Sequence, residues 1–420
     1  MSLLVRNARL LDGSLVDLFA DDHRWTRIGA DLSADGVTEI DAEGRLVTPP
    51  LVDCHLHLDA SLTAGKPRWN ESGTLIEGIH VWGELKPSLT EQDVFERARE
   101  IVRWSVAQGT LFIRAHADVS GENDAMVRGL LRLRDEVAEL CTIQVTAFPQ
   151  DGIFQRDGDE QRLEHALQLG VDCVGGIPHY EPTSELGLLE VHRVFDLAKQ
   201  YSRRIDVHCD ETDDPSSRFL EVMADDTVKH AMAGRVTASH CTAMGSYEPY
   251  YSSKLHGFLR RSGIDIVVNP FANSLIQGRL DVYPKRRGFA QLKELLAAGV
   301  NVSLGNDVIM DPWYSLGRAD LVEAASLALH FTYMSGREEI PEMLRCATER
   351  GARTLGVEDE YGLEEGKQAD LVVYDAPTAL EVLRLHPPRR WVIRRGRVVA
   401  ETTPARTTLL GEPVSFAPAS

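Results

Sequence analysis

The feature that most limits this 420-residue chain is a series of eight short apolar runs through its middle. They are Leu51–His57, Leu111–His116, Thr142–Phe148, Cys173–Ile177, Arg204–His208, Arg235–His240, Asp265–Asn269 and Asn301–Gly305. Most intervals are about 30 residues, and helical patterns such as Asp93–Gln108, Gln161–Leu169, Leu188–Gln200 and Phe289–Ala298 fill them. Strand–helix alternation argues parallel βα units. Eight units over ~300 residues point to a closed (β/α)8 barrel of the TIM type, with an open doubly wound sheet as the alternative. Polar residues gather at the C-terminal ends of many runs, where barrel enzymes place their chemistry, and this favours the barrel.

The two ends of the chain have another texture. Leu3–Val5, Val16–Phe19 and Thr26–Ile28 are short alternating runs broken by turns, as are Ala369–Tyr374, Trp391–Ile393 and Val398–Ala400. These are signatures of small antiparallel strands. Neither end carries enough apolar surface for a stable unit alone. Residues 1–48 and 360–420 are therefore expected to pair into one small β-sandwich beside a barrel of residues 49–359.

Composition narrows the partners. Lys+Arg number 45 against 64 Asp+Glu, a net charge of -19 that would repel a phosphate backbone or an anionic membrane. No nucleic-acid or membrane partner is expected, and no run of 18 apolar residues suggests a span. Cys54, Cys141, Cys173, Cys209, Cys241 and Cys346 lack CxxC spacing and read as reduced thiols of a cytoplasmic protein.

The sharpest motif is Asp53-Cys54-His55-Leu56-His57-Leu58-Asp59, ending the first run. Alternate strand residues share a face, so His55 and His57 both point inward and can chelate one divalent ion. Alone, such a pair is equally explained by core or solvent-facing histidines. The fifth run ends Ile205-Asp206-Val207-His208-Cys209-Asp210-Glu211, the sixth ends in His240, and the eighth leads to Asp307. Each could be a structural residue; together they converge on one barrel mouth, and a metal site is expected there. A divalent ion lowers the pKa of its water from ~15.7 to near 7, which suits hydrolysis. Imidazole with carboxylate fits zinc or ferrous iron. Glu211, three residues after His208, is placed to shuttle protons, unless it is a surface acid as Asp213 and Asp214 are expected to be.

This constellation resembles the amidohydrolase superfamily over the whole barrel. Binuclear members carry a carboxylated lysine on strand four, but Val174-Gly175-Gly176-Ile177-Pro178-His179 has none. The resemblance to single-metal deaminases implies one divalent ion, zinc or iron(II), on His55, His57, His208 and Asp307, with His240 outside the ligand set. A closer likeness is to bacterial cytosine deaminases. It rests on His55-Leu56-His57-Leu58-Asp59, Trp69-Asn70-Glu71-Ser72-Gly73-Thr74-Leu75, Ala147-Phe148-Pro149-Gln150, Asp206–Glu211, Val236–His240, Tyr283-Pro284-Lys285-Arg286-Arg287-Gly288 and Asp311-Pro312-Trp313-Tyr314. It implies that Gln150 bonds the pyrimidine O2/N1 edge, which needs a donor and an acceptor. Glu211 then addresses N3, while His240 and Asp307 orient the attacking hydroxide. Trp313 walls the ring and the Leu75 backbone helps close the pocket. Asp59 would position the HxH strand; His116 and His179 would be supporting or structural. A small free base is the implied substrate and a homo-oligomer the implied assembly.

One position departs from that pattern. The cytosine deaminases carry a second aspartate directly after the metal-binding one, whereas here Val308 follows Asp307. An apolar wall favours an added methyl by ~1–3 kcal/mol if the volume exists. The expected reaction is deamination of cytosine and/or 5-methylcytosine to uracil or thymine plus ammonia. The alternatives are another aminated ring (isoguanine, an s-triazine or a creatinine-like ring) and, remotely, a non-catalytic scaffold.

Overall fold

The structure, a computed structural model, describes residues 2–416; Met1 and residues 417–420, which the expected terminal unit includes, lie outside the described residues. The eight runs form one parallel sheet in chain order: Leu51–Leu56, Thr110–Asp118, Thr142–Phe148, Cys173–Val174, Arg204–Cys209, Val236–His240, Asp265–Val268 and Val302–Leu304. The last strand returns to the first. A parallel bridge joins Leu56 to Asp307, His57 N–H donates to the Asp307 carbonyl at 2.7 Å, and Asp307 N–H donates to the His55 carbonyl at 2.7 Å. Helices follow the strands, and the architecture is the expected (β/α)8 barrel.

Strand four stops at Val174 and strand eight at Leu304, each just before a glycine that comes unusually close to a neighbouring strand. A Cβ on Gly175 would stand 2.5 Å from the Ala147 carbonyl oxygen, and one on Gly305 would stand 2.7 Å from His55 Cβ. Glycine alone permits those approaches. Helix starts follow capping rather than apolar periodicity. The helix Glu91–Ala107 begins at a capping box in which Thr90 accepts from Asp93 N–H and the Asp93 carboxylate accepts from Thr90 N–H. Ser184–Gln200 starts a full turn ahead of its expected Leu188 because Thr183 caps it. The helix expected at Phe289–Ala298 is confined to Leu292–Ala297.

The chain ends form two four-stranded sheets. One contains Leu3–Arg9, Leu15–Asp21, Arg24–Gly29 and Thr38–Asp41; the other joins Val47–Thr48 to Leu371–Tyr374, Arg389–Arg394 and Arg397–Glu401. Trp25, Leu18 and Ile40 share a buried cluster with Leu371, Val373 and Ile393, so residues from both termini fill one core. Among the described residues no helix is long and apolar enough to cross a membrane.

Candidate metal centre and active site

Strand ends one, five and eight bring His55, His57, His208 and Asp307 together, each buried, with donor atoms all within 4.8 Å of one another. His208 Nε2 lies 3.2 Å from His55 Nε2 and 3.0 Å from His57 Nε2; Asp307 Oδ1 lies 3.4 and 3.5 Å from the same two nitrogens. Burial holds the His55 and His208 imidazoles well below their ordinary pKa, with neighbouring imidazoles adding to the effect on His208. Imidazole nitrogens converging on one another beside a carboxylate are an arrangement that could hold a cation between them. Ligands held ~2.0–2.1 Å from a tetrahedral ion are spaced on the order of 3.3 Å, as here. The donor set fits a divalent ion, and among the described residues that line the pocket there is no lysine.

Asp307 (φ 66°) and His240 (φ 71°) adopt left-handed backbone where their strands end, a conformation costing ~1–3 kcal/mol at a non-glycine residue. His240 lies outside the four-donor group, with Nδ1 3.2 Å from Glu211 Oε1 and 3.9 Å from Asp307 Oδ2. Burial, reinforced by Asp307, pushes the Glu211 carboxyl well up. His57, His208, Glu211, His240, Asp307, Gln150, Leu75, Val308 and Trp313 all line one pocket, which Ile276 completes.

The apolar wall is built from the loop after strand eight. Asp311 Oδ1 accepts from the backbone N–H of Trp313 at 2.9 Å and of Tyr314 at 3.0 Å, fixing the turn. The Trp313 indole N–H donates to the Leu75 carbonyl at 3.2 Å, in the first turn of the helix Leu75–Leu85, which Thr74 caps. A Cβ on Gly78 would lie 2.3 Å from Trp313 Cδ1, so this glycine makes the space the indole occupies.

Asp59 stands apart from the pocket: its Oδ2 accepts from Asp118 N–H at 2.7 Å and ties the ends of strands one and two. His116 packs beneath the donor cluster, its ring centroid 3.8 Å from that of His55. His179 lines a neighbouring cleft with Thr212 and Arg218, and burial lowers its pKa to about 4.

Several supporting residues were not apparent in the sequence. Asn273 Nδ2 lies 2.9 Å from His240 Nδ1, and Asn269 Nδ2 lies 3.2 Å from His240 Nε2. Asn306 donates its side-chain amide to Asp53 at 2.7 Å, latching strand eight to strand one. Arg114 and Asp206 pair inside the barrel at 2.9 Å with no exposure. Opposite charges within otherwise apolar strand runs were the available signal for this last pair.

The amidohydrolase family model matches residues 38–400. The 5-methylcytosine deaminase of Klebsiella pneumoniae, in a crystal structure with 5-fluorocytosine, is 40% identical, with a TM-score of 0.94 over 97% of this chain and 99% of that one. N-isopropylammelide isopropyl amidohydrolase of Pseudomonas sp. (strain ADP) is 29% identical over 95% of this chain and 97% of its own length. A pterin deaminase of Rhizobium rhizogenes is 27% identical over 88% and 84%. The barrel, the donor cluster at its mouth and these relatives agree: the chain belongs to the amidohydrolase family, in the branch of the Klebsiella 5-methylcytosine deaminase, and is a hydrolase of C–N bonds in cyclic amidines.

Proposed function

We propose that the chain deaminates a free cytosine-type base, 5-methylcytosine in particular, using one divalent ion held by His55, His57, His208 and Asp307. The observation that carries this reading is the composition of a single pocket. Three of the four donors (His57, His208, Asp307), an amide (Gln150), a raised carboxyl (Glu211) and apolar walls (Val308, Trp313) all face it.

A bound divalent ion supplies hydroxide near neutral pH. The side chains do the rest. Gln150 offers N–H and C=O to the N1/O2 edge and sets the ring so that C4 faces the cluster. Trp313, its N–H committed to Leu75, covers the ring. His240 and Asp307 orient the attacking oxygen. As the oxygen adds to C4, Glu211 gives a proton to N3. It then carries the proton from the attacking oxygen to the amino group, the C4–N bond breaks and ammonia leaves. Val308 leaves an uncharged wall near the ring that a 5-methyl group can meet.

The test is ammonia release from cytosine, 5-methylcytosine, isoguanine and amino-s-triazines, compared as kcat/KM. A 5-methylcytosine value equal to or above that for cytosine is expected. Strong preference for unsubstituted cytosine removes the 5-methyl assignment, and turnover of the triazines alone removes the pyrimidine reading.

A further inference from the structure

Beneath the proposed metal, four fully buried side chains from four strands form a chain of hydrogen bonds. Arg114 Nη1 donates to Asp206 Oδ2 at 2.9 Å, Ser239 Oγ donates to Asp206 Oδ1 at 2.8 Å, and His55 Nδ1 lies 2.9 Å from Ser239 Oγ. All four are 0% exposed. Arg114 is itself held by Thr237, Gln144 and the Thr354 carbonyl, at 3.0–3.1 Å.

The direction of every proton in this chain is determined. Guanidinium only donates, and a carboxylate only accepts. Ser239 has one hydroxyl proton and gives it to Asp206, so toward His55 it presents lone pairs alone. Nδ1 of His55 must therefore carry the ring proton, which leaves the Nε2 lone pair pointing at His57, His208 and Asp307.

We infer that Arg114, Asp206 and Ser239 are positioning residues that fix the tautomer and ring orientation of His55 and so preset it to capture the ion. The inference rests on the metal assignment above. The relay also accounts for a second group of close donors, His55, His116 and Asp206. Asp206 is committed to Arg114 and Ser239, so that group is a buttress under the site and not a second site.

The relay makes an ordered forecast. In Ser239→Ala the acceptor is lost and His55 is free to take either tautomer. In Asp206→Asn the amide oxygen is drawn to Arg114 and its NH2 turns to Ser239 Oγ. The serine proton then faces His55 Nδ1, and the ring proton moves to Nε2, where it blocks ligation. Zinc affinity of the apo-protein, measured by competition with a chelator, is expected to fall about 10–100-fold in Ser239→Ala, the range for loss of a partner behind a ligating histidine. It is expected to fall further in Asp206→Asn. Apo-protein Tm of Ser239→Ala is expected to fall modestly, because Asp206 Oδ1 and His55 Nδ1 each lose a buried partner, while the protein stays folded.

Wild-type zinc affinity in Ser239→Ala overturns the inference, as does a lowered apo Tm with unchanged affinity, the mark of a merely structural role. Tighter zinc binding by Asp206→Asn than by Ser239→Ala overturns the proton directions. Should Asp206→Asn not fold, Ser239→Ala alone decides. Failure of the wild type to bind zinc or iron(II) strikes the metal assignment instead, so the two readings fail separately.

Discussion

Nδ1 of His240 lies 3.2 Å from Oε1 of Glu211, with both side chains buried against the donor cluster. Glu211 is the carboxyl proposed to move protons, whereas the ligands proposed for the ion lie elsewhere. Glu211→Gln keeps the shape and removes the titrating proton. Turnover is expected to fall by at least ~10²–10⁴-fold, the usual share of general acid–base catalysis. Metal content per chain, read by elemental analysis, should be unchanged.

Asn273 meets the same imidazole nitrogen as Glu211. Its Oδ1 lies 3.2 Å from the Asn269 N–H, which sets the amide so that Nδ2 faces His240 Nδ1 at 2.9 Å. Asn273→Ala removes one buried hydrogen bond, of order 1 kcal/mol. A kcat loss of roughly ten-fold with little change in KM is expected in steady-state assays.

At Val308 the forecast is a change of preference. Val308→Asp places a carboxylate where the pocket now has an apolar wall. The ratio of kcat/KM for 5-methylcytosine to that for cytosine should fall by about 10-fold or more, the order set by one methyl group in an apolar pocket.

Gly78→Ala probes the indole. Its new methyl would enter the space of Trp313 Cδ1, which lies 2.3 Å from the ideal Cβ position. Overpacking of this kind costs ~1–3 kcal/mol and here also displaces a pocket wall. A lower Tm together with a raised KM is the expected pair of effects; a change in Tm alone would detach Trp313 from substrate binding.

Far from the site, Asp265 begins the seventh strand, and burial raises its carboxyl to about 6, with Arg353 opposing. An unfolded aspartate titrates near ~3.9. Between pH ~4 and 6 the unfolded chain therefore releases a proton that the folded chain keeps, and stability falls as pH rises through that window. The loss above pH 6 is on the order of 3 kcal/mol. Asp265→Asn should melt close to wild type at pH 4 and above it at pH 7, by thermal unfolding.

Much of this molecule is legible in its sequence because buried parallel strands are written as continuous apolar runs. The strand Thr142–Phe148 coincides with its run, and the polar ends His55, His57, His208, His240 and Asp307 do gather at one mouth. Legibility weakens where geometry depends on partners distant in sequence. The expected fourth strand, Cys173–Ile177, keeps two residues as regular strand, although Gly175 N–H still donates to the Ala147 carbonyl at 2.8 Å in a close approach that only glycine permits. The Asn273–His240 contact is set by how one short helix, Pro270–Ile276, leaves its strand, and no periodicity records that. The Ser239 relay is hidden for a different reason. Serine beside histidine is commonplace, and only the inward turn of strands two, five and six gives it a charged neighbour.

The seam between the first and last barrel strands has a consequence for biosynthesis. It is sewn by residues 55–57 and 307, and the same residues supply three of the four donors. Two of those donors leave the ribosome some 250 residues before the third, so a chain that stops short of residue 307 lacks part of the donor set. If the proposed ion binds there, its full donor set exists only once the last strand has closed on the first.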